Sequence, residues 1–187
     1  MGLFEFLMVL VSVVIGLGLT EILTGWANLL RAREGVRFYW IHVLLQFGVF
    51  FALLQQWWEF WEMEGVGEIS FLAVLVVLTP SVFLFLIAHL LFPAEAAGTD
   101  LGEYYFRQSP LIWILVLFVG LGGTFLKPLV FGFPVFHMAN LSGIPTMAFC
   151  VILAVSSHRR VHAVLGPVII LMVLLDTILA TPAISTG

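Results

Sequence analysis

The sequence predicts an all-α integral membrane bundle of six transmembrane helices. Three observations carry this. Hydrophobic residues make up 62% of the 187-residue chain and charged residues only 10%, against about half and about a quarter in soluble domains. Mean hydropathy is +1.16. Six apolar runs, each near the ~20 residues needed to cross a bilayer, follow one another with short polar gaps. Residues 1–187 therefore read as a single transmembrane helical domain with no soluble domain.

In order, the runs are Phe4–Leu30, Phe38–Phe60, Ile69–Phe92, Leu111–Phe131, Met138–Val155 and Val161–Ala180. The first is too long for a cleaved signal peptide and lacks its basic n-region and small-residue cleavage site. It carries Ser12, Gly16, Thr20 and Thr24 at four-residue intervals, a stripe of small residues that lets a second helix approach closely. Helix breakers interrupt the later runs: Thr79-Pro80-Ser81 in the third, Gly122-Gly123-Thr124 and Pro128 in the fourth, Gly143-Ile144-Pro145 in the fifth. Such positions are either plain kinks or places where freed backbone groups meet ions or solutes. Ile15-Gly16-Leu17-Gly18-Leu19-Thr20 resembles Val119-Gly120-Leu121-Gly122-Gly123-Thr124, which implies a weak inverted 3+3 repeat.

Charge placement sets the expected orientation. Arg31, Arg33 and Arg37 follow the first run, Arg107 the third, and Arg159 and Arg160 the fifth, leaving only Lys127 on the opposite side. The excess of basic residues puts those three loops in the cytoplasm and both termini outside it. The stretch Pro93–Ser109 is read as one of these loops. Trp26, Trp40 and Trp113 then fall at the inner headgroup level and Trp57, Trp58 and Trp61 at the outer one, as interfacial rings prefer.

Within this frame a few polar residues sit at membrane depth. Glu21, His42, Gln46 and His89 share the inner half, with Glu21 about 7 Å from the middle of its run at ~1.5 Å per residue. An intramembrane carboxylate is expensive and is a functional candidate by default. The four residues read as a proton or cation site or, alternatively, as a hydrogen-bonded clamp between helices. Asp176 and Lys127 lie in the outer half and read as an ion pair or, alternatively, as a snorkelling lysine and a locally bonded acid. His42 and His89 at similar depth also admit axial haem ligation. The segment His158-Arg159-Arg160-Val161-His162 reads as a wet basic loop that meets anionic headgroups.

Several classes are excluded. Net charge is −4, which argues against nucleic acid. Cys150 is the single cysteine, so there is no intrachain disulfide and no CxxC redox or zinc motif. Hydrolase and nucleotide-binding signatures are missing, so no catalytic residue is assigned and the chain reads as no enzyme.

The order GLGLTEILTGW, then Arg37-Phe38-Tyr39-Trp40, then Gln55-Gln56-Trp57-Trp58-Glu59-Phe60-Trp61 resembles a group of small multi-span bacterial inner-membrane proteins of uncharacterised function. The resemblance covers about the first 60 residues. It implies a bacterial inner-membrane location, and no activity, cofactor or site residue comes with it. The expected function is proton- or cation-linked conduction or transport that uses Glu21. The alternative is a non-catalytic subunit or scaffold that packs with itself or with partner helices in the lipid bilayer. A haem-binding or other redox protein is the third reading.

Overall fold

The structure is a computed structural model that describes residues 2–63, 70–132 and 142–180. Regular structure among them is all helical: α1 (Leu3–Arg31), α2 (Trp40–Glu59) with a 3-10 turn (Phe60–Met63), α3 (Phe71–Leu90), α4 (Leu101–Leu121), α5 (Lys127–Phe131), α6 (Gly143–Val155) and α7 (Arg159–Ala180). A π turn, Gly122–Leu126, joins α4 to α5 in one continuous rod. Phe4–Arg31, Trp40–Glu59, Phe71–Leu90 and Leu101–Phe131 are each long and apolar enough to cross a membrane. The bundle is thus compatible with a membrane protein. The start of the fifth run lies outside the described residues.

One boundary is corrected by ten residues. Pro93–Ser109 was expected to be a loop, but α4 begins at Leu101. Asp100 caps it, its Oδ1 accepting from the Gly102 and Glu103 amides at 2.8 and 3.1 Å. Leu101, Tyr104, Tyr105 and Ser109 are buried while Glu103 and Arg107 are exposed. That three-to-four-residue alternation is an amphipathic helix end, and the charges within it mimicked a loop. Pro110 and Pro80 both sit inside helices without ending them.

Neighbouring helices close a ring: α1 packs on α2 and α3, α3 on α4, α4 on α6, α6 on α7, and α7 back on α2. An inverted repeat would map the close α1–α3 pairing onto α4–α7, whereas α4 packs chiefly on α6. The face that α1 buries also differs from the small-residue stripe. Leu7, Val11, Ile15, Ile22 and Leu29 are buried, and Gly18 and Gly25 lie on the same side. A Cβ on Gly18 would stand 2.9 Å from Leu53, and one on Gly25 would run into the Phe92 ring. These two glycines permit the close approach. A Cβ on Gly16 would touch nothing within 4 Å, and Thr20 and Thr24 are exposed.

Cross-helix contacts also set relative depth. Phe4 stacks on Phe60 at 5.8 Å, and Glu21 meets His89, the residue before the last of α3. From Phe4 to Glu21 is about 26 Å of helix at ~1.5 Å per residue, close to the ~30 Å of a hydrocarbon core. The last two turns of α1 therefore run on past the end of α3. Glu21 is therefore level with the last turn of α3.

Candidate functional site

At the end where Arg37, Arg107 and Arg159 gather, the core is polar and closed. His42 is fully buried, and its Nε2 lies 2.8 Å from the Leu91 carbonyl. A carbonyl only accepts, so Nε2 carries the proton. Tyr104 donates its hydroxyl to the carbonyls of Leu90 and Phe92. A second chain runs through Tyr105. Trp113 Nε1 donates to the Tyr105 hydroxyl at 3.3 Å, which donates to His162 Nδ1 at 2.7 Å, while His162 Nε2 donates to the Ser156 carbonyl at 2.8 Å. Each link satisfies the next, which makes a rigid belt that ties α4 to α7 and to the C-cap of α6.

The loops below the belt are stitched as well. Arg37 N donates to Thr99 O and Leu101 N to Arg37 O, both at 3.0 Å. The Glu103 and Gly102 amides hold the Asp100 carboxyl below its ordinary pKa, with help from Arg37 and Arg159. Burial pushes the Tyr39 hydroxyl up, partly opposed by Arg159. Arg107 and Arg159 lie over the rings of Tyr104 and Phe106 at 5.4 and 5.9 Å.

The four residues predicted as one polar cluster are split into two sets. Glu21 Oε2 and His89 Nδ1 meet at 3.2 Å on the outside of the bundle, with side chains 39% and 67% exposed. His42 and Gln46 are buried inside it, and Gln46 Oε1 accepts from Trp26 Nε1 at 3.0 Å. Glu21 is thus not enclosed by neighbouring helices as expected: it occupies the α1 face turned away from α2. The two histidines of the haem reading take different partners, Leu91 and Glu21.

Other expectations change for similar reasons. His162 is fully buried in the belt, not wet, because its ring completes the Tyr105 chain. Trp113 is a core residue rather than an interfacial one, since its indole N–H is bonded inside. Trp26 and Trp57 are half-buried, the latter donating to Ser12 Oγ at 3.1 Å. Trp58 is half-buried, and Trp40 and Trp61 are exposed. Asp176 and Lys127 separate: Ser142 donates to Asp176 Oδ2 at 2.6 Å, and Lys127 Nζ lies 3.7 Å from Glu59 Oε2.

That last pair marks the most site-like feature of the molecule. Glu59 ends α2, and Gln55 one turn back donates to its Oε1 at 2.8 Å. Lys127 follows the π turn, a backbone irregularity frequent at functional sites. Between them lies a cavity of about 30 Å³ lined by Gln56, Glu59, Pro80, Gly122, Gly123 and Lys127, with Val76, Val77 and Phe60 as its apolar wall. Pro80 stands midway along α3, and a Cβ on Gly122 would meet its ring at 3.3 Å. The small cavity is therefore bounded by the Glu59–Lys127 pair on one side and by Pro80 and Gly122 on the other. Lys127 and the breakers at Pro80 and Gly122-Gly123 were legible as candidates; Glu59 was not, being hidden in an aromatic run. Among the described residues no three histidine, cysteine or acidic side chains gather as a metal site would require.

Comparison with known protein families, with curated proteins and with solved structures finds no match to this chain.

Proposed function

We propose that this is a six-span protein of the bacterial inner membrane, both termini outside, that conducts or transports a proton or small cation. Its carboxylate is Glu59 rather than Glu21. In this reading the basic end with Arg37, Arg107 and Arg159 faces the cytoplasm, and the cavity opens to the other side as a vestibule. A proton or cation arriving at Glu59 competes with Lys127 for the carboxylate. Neutralising Glu59 removes the attraction that holds the Lys127 ammonium against its carboxylate. Lys127 then moves away, and the π turn and the two glycines beside it give the backbone room to follow. No cofactor and no catalytic chemistry is part of the proposal.

The observation that carries it is an ion pair, with side chains 26% and 36% exposed, at the mouth of a cavity floored by a π turn and a helical proline. The test is flux into reconstituted vesicles under an imposed pH or cation gradient. Glu59→Gln should lower the rate at least tenfold while the protein remains folded and monodisperse, and Glu21→Gln should leave it near wild type. Wild-type vesicles as tight as empty ones, or a Glu59→Gln variant at full rate, overturn the reading.

A second reading, a scaffold or subunit, has its own observation. The face of α1 with Gly16, Thr20 and Thr24 is uncovered, and the Glu21–His89 pair lies on the outside beside it. Close packing there against a second copy or a partner helix would shelter that pair from lipid. Crosslinking from a cysteine at position 20 in intact membranes, with no flux in vesicles, would favour this reading over transport.

A further inference from the structure

Two buried polar atoms of α2 lack protein partners, and they are chemical complements. His42 Nδ1 and Gln46 Nε2 are both enclosed, in residues 0% and 1% exposed, and neither has a hydrogen bond among the described residues. An unpaired buried polar group is unfavourable, so two on neighbouring turns of one helix call for an explanation.

Their partners elsewhere decide which role each plays. His42 Nε2 faces the Leu91 carbonyl, so the proton of the neutral ring is on Nε2 and Nδ1 offers a lone pair. The Trp26 indole N–H points at the Gln46 amide and can only donate. The amide must turn its oxygen to Trp26, which aims its NH₂ group the other way. The result is an acceptor and a donor four residues apart. Residues at this spacing stand on one helix face, about 5–6 Å apart at Cβ, so both side chains can reach one small molecule held between them.

We infer that His42 and Gln46 bind one internal water molecule, which accepts from Gln46 Nε2 and donates to His42 Nδ1. A bare cation does not suit the site, since the amide N–H repels it. An anion does not suit it either, because the His42 lone pair faces it. Water supplies both functions, and buried waters commonly fill this role for polar groups left over inside a fold. The water would complete the belt by joining the Trp26–Gln46 contact to the His42–Leu91 contact.

The test is solid-state NMR of the whole chain in bilayers, with magnetisation transferred from water to ¹⁵N-labelled side chains. Signal is expected at the Gln46 side-chain amide and at His42 in the Nε2–H tautomer, while the ¹⁵N-labelled backbone amides of neighbouring core residues such as Leu53 stay dark. In Gln46→Met the water signal at His42 should fall to the level of those core residues. A wild-type protein whose His42 carries its proton on Nδ1, or whose two side chains receive no more water signal than Leu53, overturns the inference. So does undiminished signal at His42 in Gln46→Met. The wild-type measurement decides alone if that variant does not fold.

Discussion

The two ends of the bundle handle polar groups in opposite ways. At the arginine-rich end, Trp113, Tyr105, His162 and the Ser156 carbonyl form a closed relay, with Tyr104 and His42 bonded to carbonyls of the turn that follows α3. The relay bonds follow one another in series, and aromatic rings fill the gaps: Tyr39, Tyr105, Phe106 and His162 stand 5.1–5.9 Å apart in sequence of contact. At the other end, charge meets charge across 3.7 Å beside a cavity lined by Gly122 and Gly123 of the π turn. A matched network rigidifies, whereas an ion pair beside a cavity and an irregular helix has somewhere to go. The first end is closed by bonded side chains, and the second holds the ion pair and the cavity.

This contrast can be broken experimentally. The largest effect is expected from the vestibule carboxylate, whose Glu59→Gln variant loses flux at least tenfold as set out above. Next is Trp113→Ala. This side chain is 1% exposed, and truncating a buried tryptophan costs about 3–5 kcal/mol. A thermal or chemical unfolding series in detergent should show this loss; a change under about 1 kcal/mol would mean the belt does not stabilise that end. Tyr105→Phe keeps the ring but strands Trp113 Nε1 and His162 Nδ1, and should cost about 1–3 kcal/mol, less if lipid-phase partners compensate. Gly122→Ala puts a methyl group against the Pro80 ring at 3.3 Å; it should reduce vestibule flux more than stability, and the reverse order would argue against a moving π turn.

The smallest effect is at the Asp100 cap. Its pKa is depressed in the folded chain, so its contribution to stability is present above the unfolded-state value of about 3.9 and is lost as pH falls through the lower folded value. Between neutral pH and about pH 5 no change is expected from this group. Below about pH 4, the wild-type melting temperature should approach that of Asp100→Asn, whose own cap does not titrate. Parallel curves for the two proteins down to acid pH would show that the carboxylate charge is not what the cap uses.

Much of the architecture was readable without coordinates. Apolar runs near bilayer length require helices, because backbone groups in lipid must be satisfied within the segment, and the first three runs match α1, α2 and α3 to within a few residues, whereas α4 starts ten residues early. That start was misread because Glu103 and Arg107 were taken as loop residues; their spacing against Leu101, Tyr104 and Tyr105 holds the helical signal. Site residues were harder. Glu21 and His89 do meet, but parallel helices of unequal length put that contact at the edge of the bundle. Lys127 was visible as an intramembrane cation, yet its partner Glu59 lay inside a run of tryptophans that looked interfacial.

Composition and periodicity alone determined that this chain is helical, apolar throughout and polarised in charge from one end to the other. These properties come from the local demand of each segment for its own hydrogen bonds and for lipid. Only the tertiary arrangement decided which side of α1 is buried, which histidines are enclosed and which acid stands beside Lys127. Those outcomes depend on how far helices slide and turn against one another. A shift of one residue rotates a side chain by about 100°, and no pattern along a single strand of sequence records the rotation of its neighbours.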